Sequence, residues 1–287
     1  MTFNDNARSG GGRVSKRGRN TGLAAGGGGI GLIAIFLISQ ALGVDLTGFV
    51  GGGTDGTTAS DTTLENCETG ADANADIECR IDFAAQSLDG FWQRELGANY
   101  VPPPLVVFEQ ATNTGCGSAT SAVGPFYCPA DQTVYLDVGF YDELRTRFDT
   151  DAGPLAQMYV IAHEFGHHIQ NLAGTMNSIQ REGTGPTSDA VRLELQADCY
   201  AGAWVGEAST VPDESGTPFL KPITRGQLAD ALDAASAIGD DRIQESTQGQ
   251  VNPEAWTHGS SEQRQRWFET GYEQGVAGCD TFAAGAL

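Results

Sequence analysis

The sequence predicts an α+β domain, rich in helix and carrying a small β-sheet, preceded by one transmembrane helix. Three features carry that expectation. The C-terminal half places apolar residues at helical spacing between recognisable caps, two short apolar runs stand among proline and turn signals, and one uncharged stretch lies near the N-terminus. The 287 residues suffice for one substantial globular domain with appendages. Their 37 acidic and 16 basic side chains give a formal charge of −21, a field that repels a phosphate backbone and argues against nucleic acid as a partner.

Residues 1–21 form a basic segment, with Arg8, Arg13, Lys16, Arg17 and Arg19 against Asp5 alone. Residues 22–44 carry no charge and centre on the apolar run from Ile30 to Ile38, long enough as a helix to cross a hydrocarbon core of about 30 Å. The positive-inside rule then leaves the N-terminus in the cytoplasm and sends the remaining chain to the periplasmic or extracellular side, with the membrane as a partner of this helix. Ser39-Gln40-Ala41 offers the alternative of a signal-peptide cleavage site. Residues 45–75 include a Gly/Thr/Asp-rich tract that reads as a flexible linker, and residues 76–287 are the expected folded domain.

Within that domain Asp76 caps an expected helix whose apolar positions run from Ile77 to about Leu96. Pro102-Pro103-Pro104 introduces a strand at Leu105–Phe108, and a turn signal at residues 129–132 introduces another at Thr133–Asp137. Pro154 opens a helix with Leu155, Met158, Ala162, Phe165, Ile169 and Leu172 on one face and Gly174 beyond its end. Further helices are expected from Ser188 to about Glu207, from the capping box at Thr224 to near Gly239, and after Ser260.

The six cysteines all follow the apolar stretch, and their even number predicts disulfides. Fifteen complete pairings are possible and the sequence alone does not choose among them; the favoured one joins Cys67 with Cys79 and Cys116 with Cys128, closing two short loops. Cys199 with Cys279 fastens the C-terminus to a central helix.

The chemistry lies in His163-Glu164-Phe165-Gly166-His167. Histidines at i and i+4 project from one helix face, so both imidazoles can ligate one Zn²⁺ while the glutamate reaches water beside it. His168 points away from that pair and reads as a residue that packs or supports from behind. The metzincin extension is absent, because Gln170 and Ala173 occupy the positions where it needs glycine and histidine. A third ligand is expected from the helix reading Glu194-Leu195-Gln196-Ala197-Asp198, whose acidic pair at i and i+4 lies among apolar residues and needs a cation or donors. Glu194 is the expected ligand and Asp198 the acceptor for the outer N–H of a zinc-bound histidine. Asp189 or Asp198 as the direct ligand is the alternative.

These stretches, with Cys116-Gly117-Ser118-Ala119, Gly124-Pro125-Phe126-Tyr127-Cys128-Pro129, Gly239-Asp240-Asp241-Arg242 and Thr257-His258-Gly259, resemble the bacterial neutral zinc metallopeptidase family from about residue 80 to 284. That family comprises mostly single-span membrane proteins with an exported domain, and the Glu194/Asp198 helix is similar to the gluzincin pattern. The resemblance implies a zincin-like metalloendopeptidase acting on peptides or proteins, with Zn²⁺ polarising the scissile carbonyl and Glu164 as general base. His258, in a loop beside a glycine, is the candidate for stabilising the tetrahedral oxyanion, with Tyr200 and Tyr127 behind it. Asp240, Asp241 and Arg242 are expected to form a structural ion-pair cluster. The competing expectation, from a different class, is a non-catalytic cell-envelope scaffold whose zinc only stabilises the fold.

Overall fold

A computed structural model describes residues 2–12, 14–17, 61–64, 66–147, 150–179 and 183–287. Its described part is a mixed α/β fold dominated by helix. Strand β1 (Val14–Arg17) pairs antiparallel with β2 (Asp61–Thr63) and parallel with β3 (Leu105–Phe108). Helices α1 (Gly70–Ala75) and α2 (Ile77–Leu96) lie between β2 and β3 in the chain. A hairpin of β4 (Ala111–Thr114) and β5 (Gly117–Thr120) follows, then β6 (Phe126–Cys128) and β7 (Thr133–Asp137). The main sheet has the order β2-β1-β3-β7-β6.

β3 is apolar at every position because both faces of the sheet are covered. Leu105 and Val107, with Val134 and Leu136 of β7, enter the main core under the helices. Val106 and Phe108 face the other way and meet Ala119, Phe126 and Tyr135 in a second core under the hairpin, which the Cys116–Cys128 disulfide ties to β6.

Helix α3 (Phe140–Arg147) precedes α4 (Pro154–Leu172), which carries Pro154 at its start and stops before Gly174 in the left-handed region at φ 75°. After the single turn α5 (Thr175–Ser178) comes α6 (Asp189–Glu207), capped by Ser188. Capping boxes start α7 (Arg225–Ala237) at Thr224 and α9 (Ser261–Gln274) at Ser260, with α8 (Asp240–Gln248) between them. α4 lies against β6 and β7 on one side and against α6 on the other, and α9 packs across α6. The last crossing is close because a Cβ on Gly202 would stand 1.9 Å from the Phe268 carbonyl oxygen, and one on Gly271 1.8 Å from that of Cys199. The Cys199–Cys279 disulfide pins the C-terminal segment to α6, and Cys67–Cys79 joins the chain ahead of α1 to α2.

The N-terminal segment corrects the expected topology. Residues 2–17 are not a free basic tail: Phe3, Ala7 and Val14 are fully buried, and Phe3 packs edge-on to Phe83. β2 and α1 likewise fold within the stretch expected as a linker. The expected span at residues 22–44 lies outside the described residues, and among those described no helix is long and apolar enough to cross a membrane. A strand hydrogen-bonded to β2 and β3 cannot sit across a bilayer from them, so a single pass with a cytoplasmic N-terminus is overturned. Cleavage after Ala41 would remove β1 and Phe3 and conflicts with the same packing.

Candidate metal centre

Two helices build the centre. On α4 the i and i+4 spacing sets the His163 and His167 rings 4.7 Å apart, nearly perpendicular. α6 approaches along Gly166, where a Cβ would stand only 2.9 Å from the Ala197 Cα. The neighbour of this glycine is the backbone of α6, one turn beyond Glu194. Glu194 Oε2 thereby lies 3.2 Å from His163 Nε2, and Oε1 lies 3.6 Å from His167 Nε2. The three residues can each offer one atom within 4.8 Å of the others. Asp189 lies in the first turn of α6, and the group that converges is His163, His167 and Glu194.

Behind the centre, Asp198 is completely buried. Its Oδ1 accepts from His163 Nδ1 at 2.8 Å and from the Tyr159 hydroxyl at 2.5 Å, and Arg264 donates to both carboxylate oxygens at 2.8 and 2.9 Å. Burial works against the Asp198 charge, yet Arg264 and then His163 hold its pKa below the usual carboxylate range. Burial alone would lower His163, but Asp198 and Glu194 carry it up to about 10. Glu194 is likewise desolvated, and His167, His258 and His163 hold it well below its ordinary value.

Glu164 follows His163 on the same helix and is nearly buried. Desolvation raises its pKa against the pull of His167 and His163, and the Tyr127 backbone N–H donates to its carboxylate. His258 stands close enough for Glu194 to act on it electrostatically, and its pKa is raised by Glu194 and Asp240 in opposition to burial. Asp240 shapes that loop, since its Oδ2 accepts from the backbone N–H groups of Thr257, His258 and Gly259 while Oδ1 lies 3.3 Å from His258 Nδ1.

The remaining expected residues are spread out. His168 is buried away from the centre; its Nε2 donates to the Val101 carbonyl at 2.7 Å, and Nδ1 accepts from the Tyr127 hydroxyl at 3.1 Å. Tyr127 also accepts from Asn171, and burial pushes its pKa to about 12. Tyr200 packs edge-on against Trp92. Asp240, Asp241 and Arg242 do not form one ion-pair cluster. Asp240 serves the His258 loop, Asp241 accepts from Ser261 at the start of α9, and Arg242 reaches Asp233 and Ser236.

Sequence reasoning passed over Arg264, Tyr159 and Gln170. The signal for Arg264 was its place on an apolar stripe with Trp267, Phe268 and Gly271, since a cation there needs a buried anion.

The residue types fit zinc: two imidazole nitrogens and one carboxylate are a common set of three protein ligands, and Asp198 engages the outer nitrogen of one of them. A family model described as "Putative neutral zinc metallopeptidase" matches residues 2–282. The uncharacterized protein Rv2575 of Mycobacterium tuberculosis is 50% identical over 226 residues, covering 78% of this chain and 77% of its own. The uncharacterized protein YpfJ of Escherichia coli is 39% identical over 284 residues, covering 97% and 94% respectively. No solved structure matches the chain.

Proposed function

The chain belongs to the neutral zinc metallopeptidase family, and from that premise we propose that it is a zinc-dependent endopeptidase with a zincin-like catalytic domain, hydrolysing peptide bonds with Glu164 as general base. The reading rests above all on the convergence of His163, His167 and Glu194 beside a desolvated glutamate. In this reading those three residues would hold Zn²⁺. When bound, the ion would supply Lewis acidity to a scissile carbonyl and acidify water next to it.

Every other part belongs to the protein. Asp198 keeps His163 in the tautomer that presents Nε2 to the centre, and Arg264 keeps Asp198 ionised. A carboxylate raised by burial is a better proton acceptor near neutral pH, so Glu164 takes the proton from the attacking water and delivers it to the leaving amine nitrogen. His258, its ring and backbone held by Asp240, donates toward the oxyanion that develops on the substrate.

The test uses the full chain, since residues 2–17 are part of the fold. Wild type and Glu164→Gln are loaded with zinc and incubated with a broad peptide library read by mass spectrometry. Equal zinc content with cleavage by wild type alone supports the peptidase. Zinc bound by both and no cleavage by either favours the scaffold and defeats the reading.

A further inference from the structure

The two histidines of the centre are held from behind by different chemistry. His163 leans on the carboxylate of Asp198, whereas His167 leans on a neutral amide: its Nδ1 lies 2.9 Å from Gln170 Oε1. Gln170 is fully buried, and its Nε2 reaches the Leu193 carbonyl at 2.7 Å and Gln196 Oε1 at 3.2 Å. Gln196 Nε2 in turn donates to the carbonyl of Cys279 at 3.0 Å, and Cys279 is disulfide-bonded to Cys199.

Two backbone carbonyls fix the direction of every bond in this chain of amides. A carbonyl only accepts, so the Leu193 carbonyl requires the NH₂ of Gln170 on its side, and the Cys279 carbonyl requires the NH₂ of Gln196. Both Oε1 atoms must then face toward the histidine. The Gln170 Oε1 can only accept, so His167 carries a proton on Nδ1, and Nε2 is the nitrogen it turns to Glu194.

We propose that Gln170 and Gln196 are positioning residues that act through His167: an amide relay running from the Cys279 carbonyl to the second histidine, setting that histidine's tautomer and ring orientation for zinc. The proposal rests on the zinc reading of the centre. It makes Gln170, one of the two residues that break the metzincin pattern, part of the machinery that replaces it. The relay also links the centre to the disulfide-held C-terminal segment, so the outer support of His167 comes from α6 and that segment together.

Three full-length proteins test it: wild type, Gln170→Met, which keeps length and loses the acceptor, and Gln170→Glu, which restores an acceptor to His167. Zinc affinity is measured by competition with a chromophoric chelator, and the His167 tautomer in zinc-free protein by long-range ¹H–¹⁵N spectra. Wild type is expected to show the Nδ1–H form. Gln170→Met is expected to lose that single form and to bind zinc about 10–100-fold more weakly. Gln170→Glu is expected to keep the form and to recover at least about tenfold of the affinity lost in Gln170→Met, within that same range. Gln196→Met is the second variant, for the event that Gln170→Met does not fold; it spares the contact with His167 and is expected to weaken zinc a few-fold with a mixed tautomer. Wild-type affinity and tautomer in the methionine variants overturn the relay, as do equal losses in Gln170→Met and Gln170→Glu. A wild type that binds no zinc defeats the metal centre itself, and is told apart by the first measurement.

Discussion

Gly166→Ala puts a single methyl group between the two helices that carry the proposed ligands. Its Cβ would lie 2.9 Å from Ala197 Cα and 3.1 Å from both the Cβ and the carbonyl oxygen of Ala197. Carbon atoms rest at about 3.5–4.0 Å, so α4 and α6 must part by roughly 0.5–1 Å at this level. Alanine gains about 1 kcal/mol of helix propensity, while overpacking costs about 1–3 kcal/mol, for a net loss of about 0–2 kcal/mol. The effect on zinc should be larger than the effect on folding. Glu194 stands one turn from Ala197, and ligand distances are tolerated only within about 0.2 Å, so affinity should fall at least about tenfold. Chelator competition measures the affinity, and thermal unfolding with and without zinc separates it from stability. Gly226→Ala is the control, because Gly226 lies in the first turn of α7 with open space around its Cβ position, and there alanine should cost nothing. A Gly166→Ala protein that melts higher than wild type and binds zinc equally well would refute the account of this helix contact.

The other expectations concern the metal, the titration of the centre and the N-terminus. Glu194→Ala should abolish stoichiometric zinc binding, whereas Asp198→Asn should weaken it about 10–100-fold, both read by metal analysis after dialysis against a weak chelator. In zinc-free protein burial opposes the His163 charge, but Asp198 and Glu194 raise its pKa to about 10. A raised folded pKa means that its contribution is complete below the unfolded value of about 6.5 and disappears as pH climbs through about 10. Denaturant melts of zinc-free protein should therefore show stability falling across that window, and a flat profile would contradict the His163–Asp198 pairing. Phe3→Ala removes a fully buried ring and should cost about 3–5 kcal/mol in the same assay.

Helices α2, α4, α6, α7 and α9 were legible because each is written locally. Asp76, Ser188, Thr224 and Ser260 announce their starts, and the apolar stripe of α4 announces its buried face. The even cysteine count left fifteen pairings open; the structure joins the three pairs that short loops and a fastened C-terminus favoured. What failed to show was long-range. β1 reads Val-Ser-Lys-Arg, a polar strand whose pairing is with residues far along the chain, so its charges suggested a tail. β6 and the β4–β5 hairpin are equally short and take their stability from the second core rather than from any periodic pattern. At the centre, HExxH spacing exposed His163, Glu164 and His167, and an acidic pair on an apolar helix exposed Glu194 and Asp198. Arg264 and Tyr159 meet Asp198 only after α4, α6 and α9 are stacked, and no local spacing encodes that meeting.

Arg17 and Asp61 are register partners across β1 and β2, so the polypeptide departs from the domain and rejoins it at one spot on the rim of the sheet. A two-residue turn of Asn-Gly type joining Arg17 to Asp61 would close the same pair of strands. A fluorescent module or purification sequence spliced there would leave Phe3 seated on one flank and the helices untouched on the other. The same junction means that shearing the chain after Arg17 would yield two pieces still held together by the sheet, which a gel under denaturing conditions would separate and a sizing column would not.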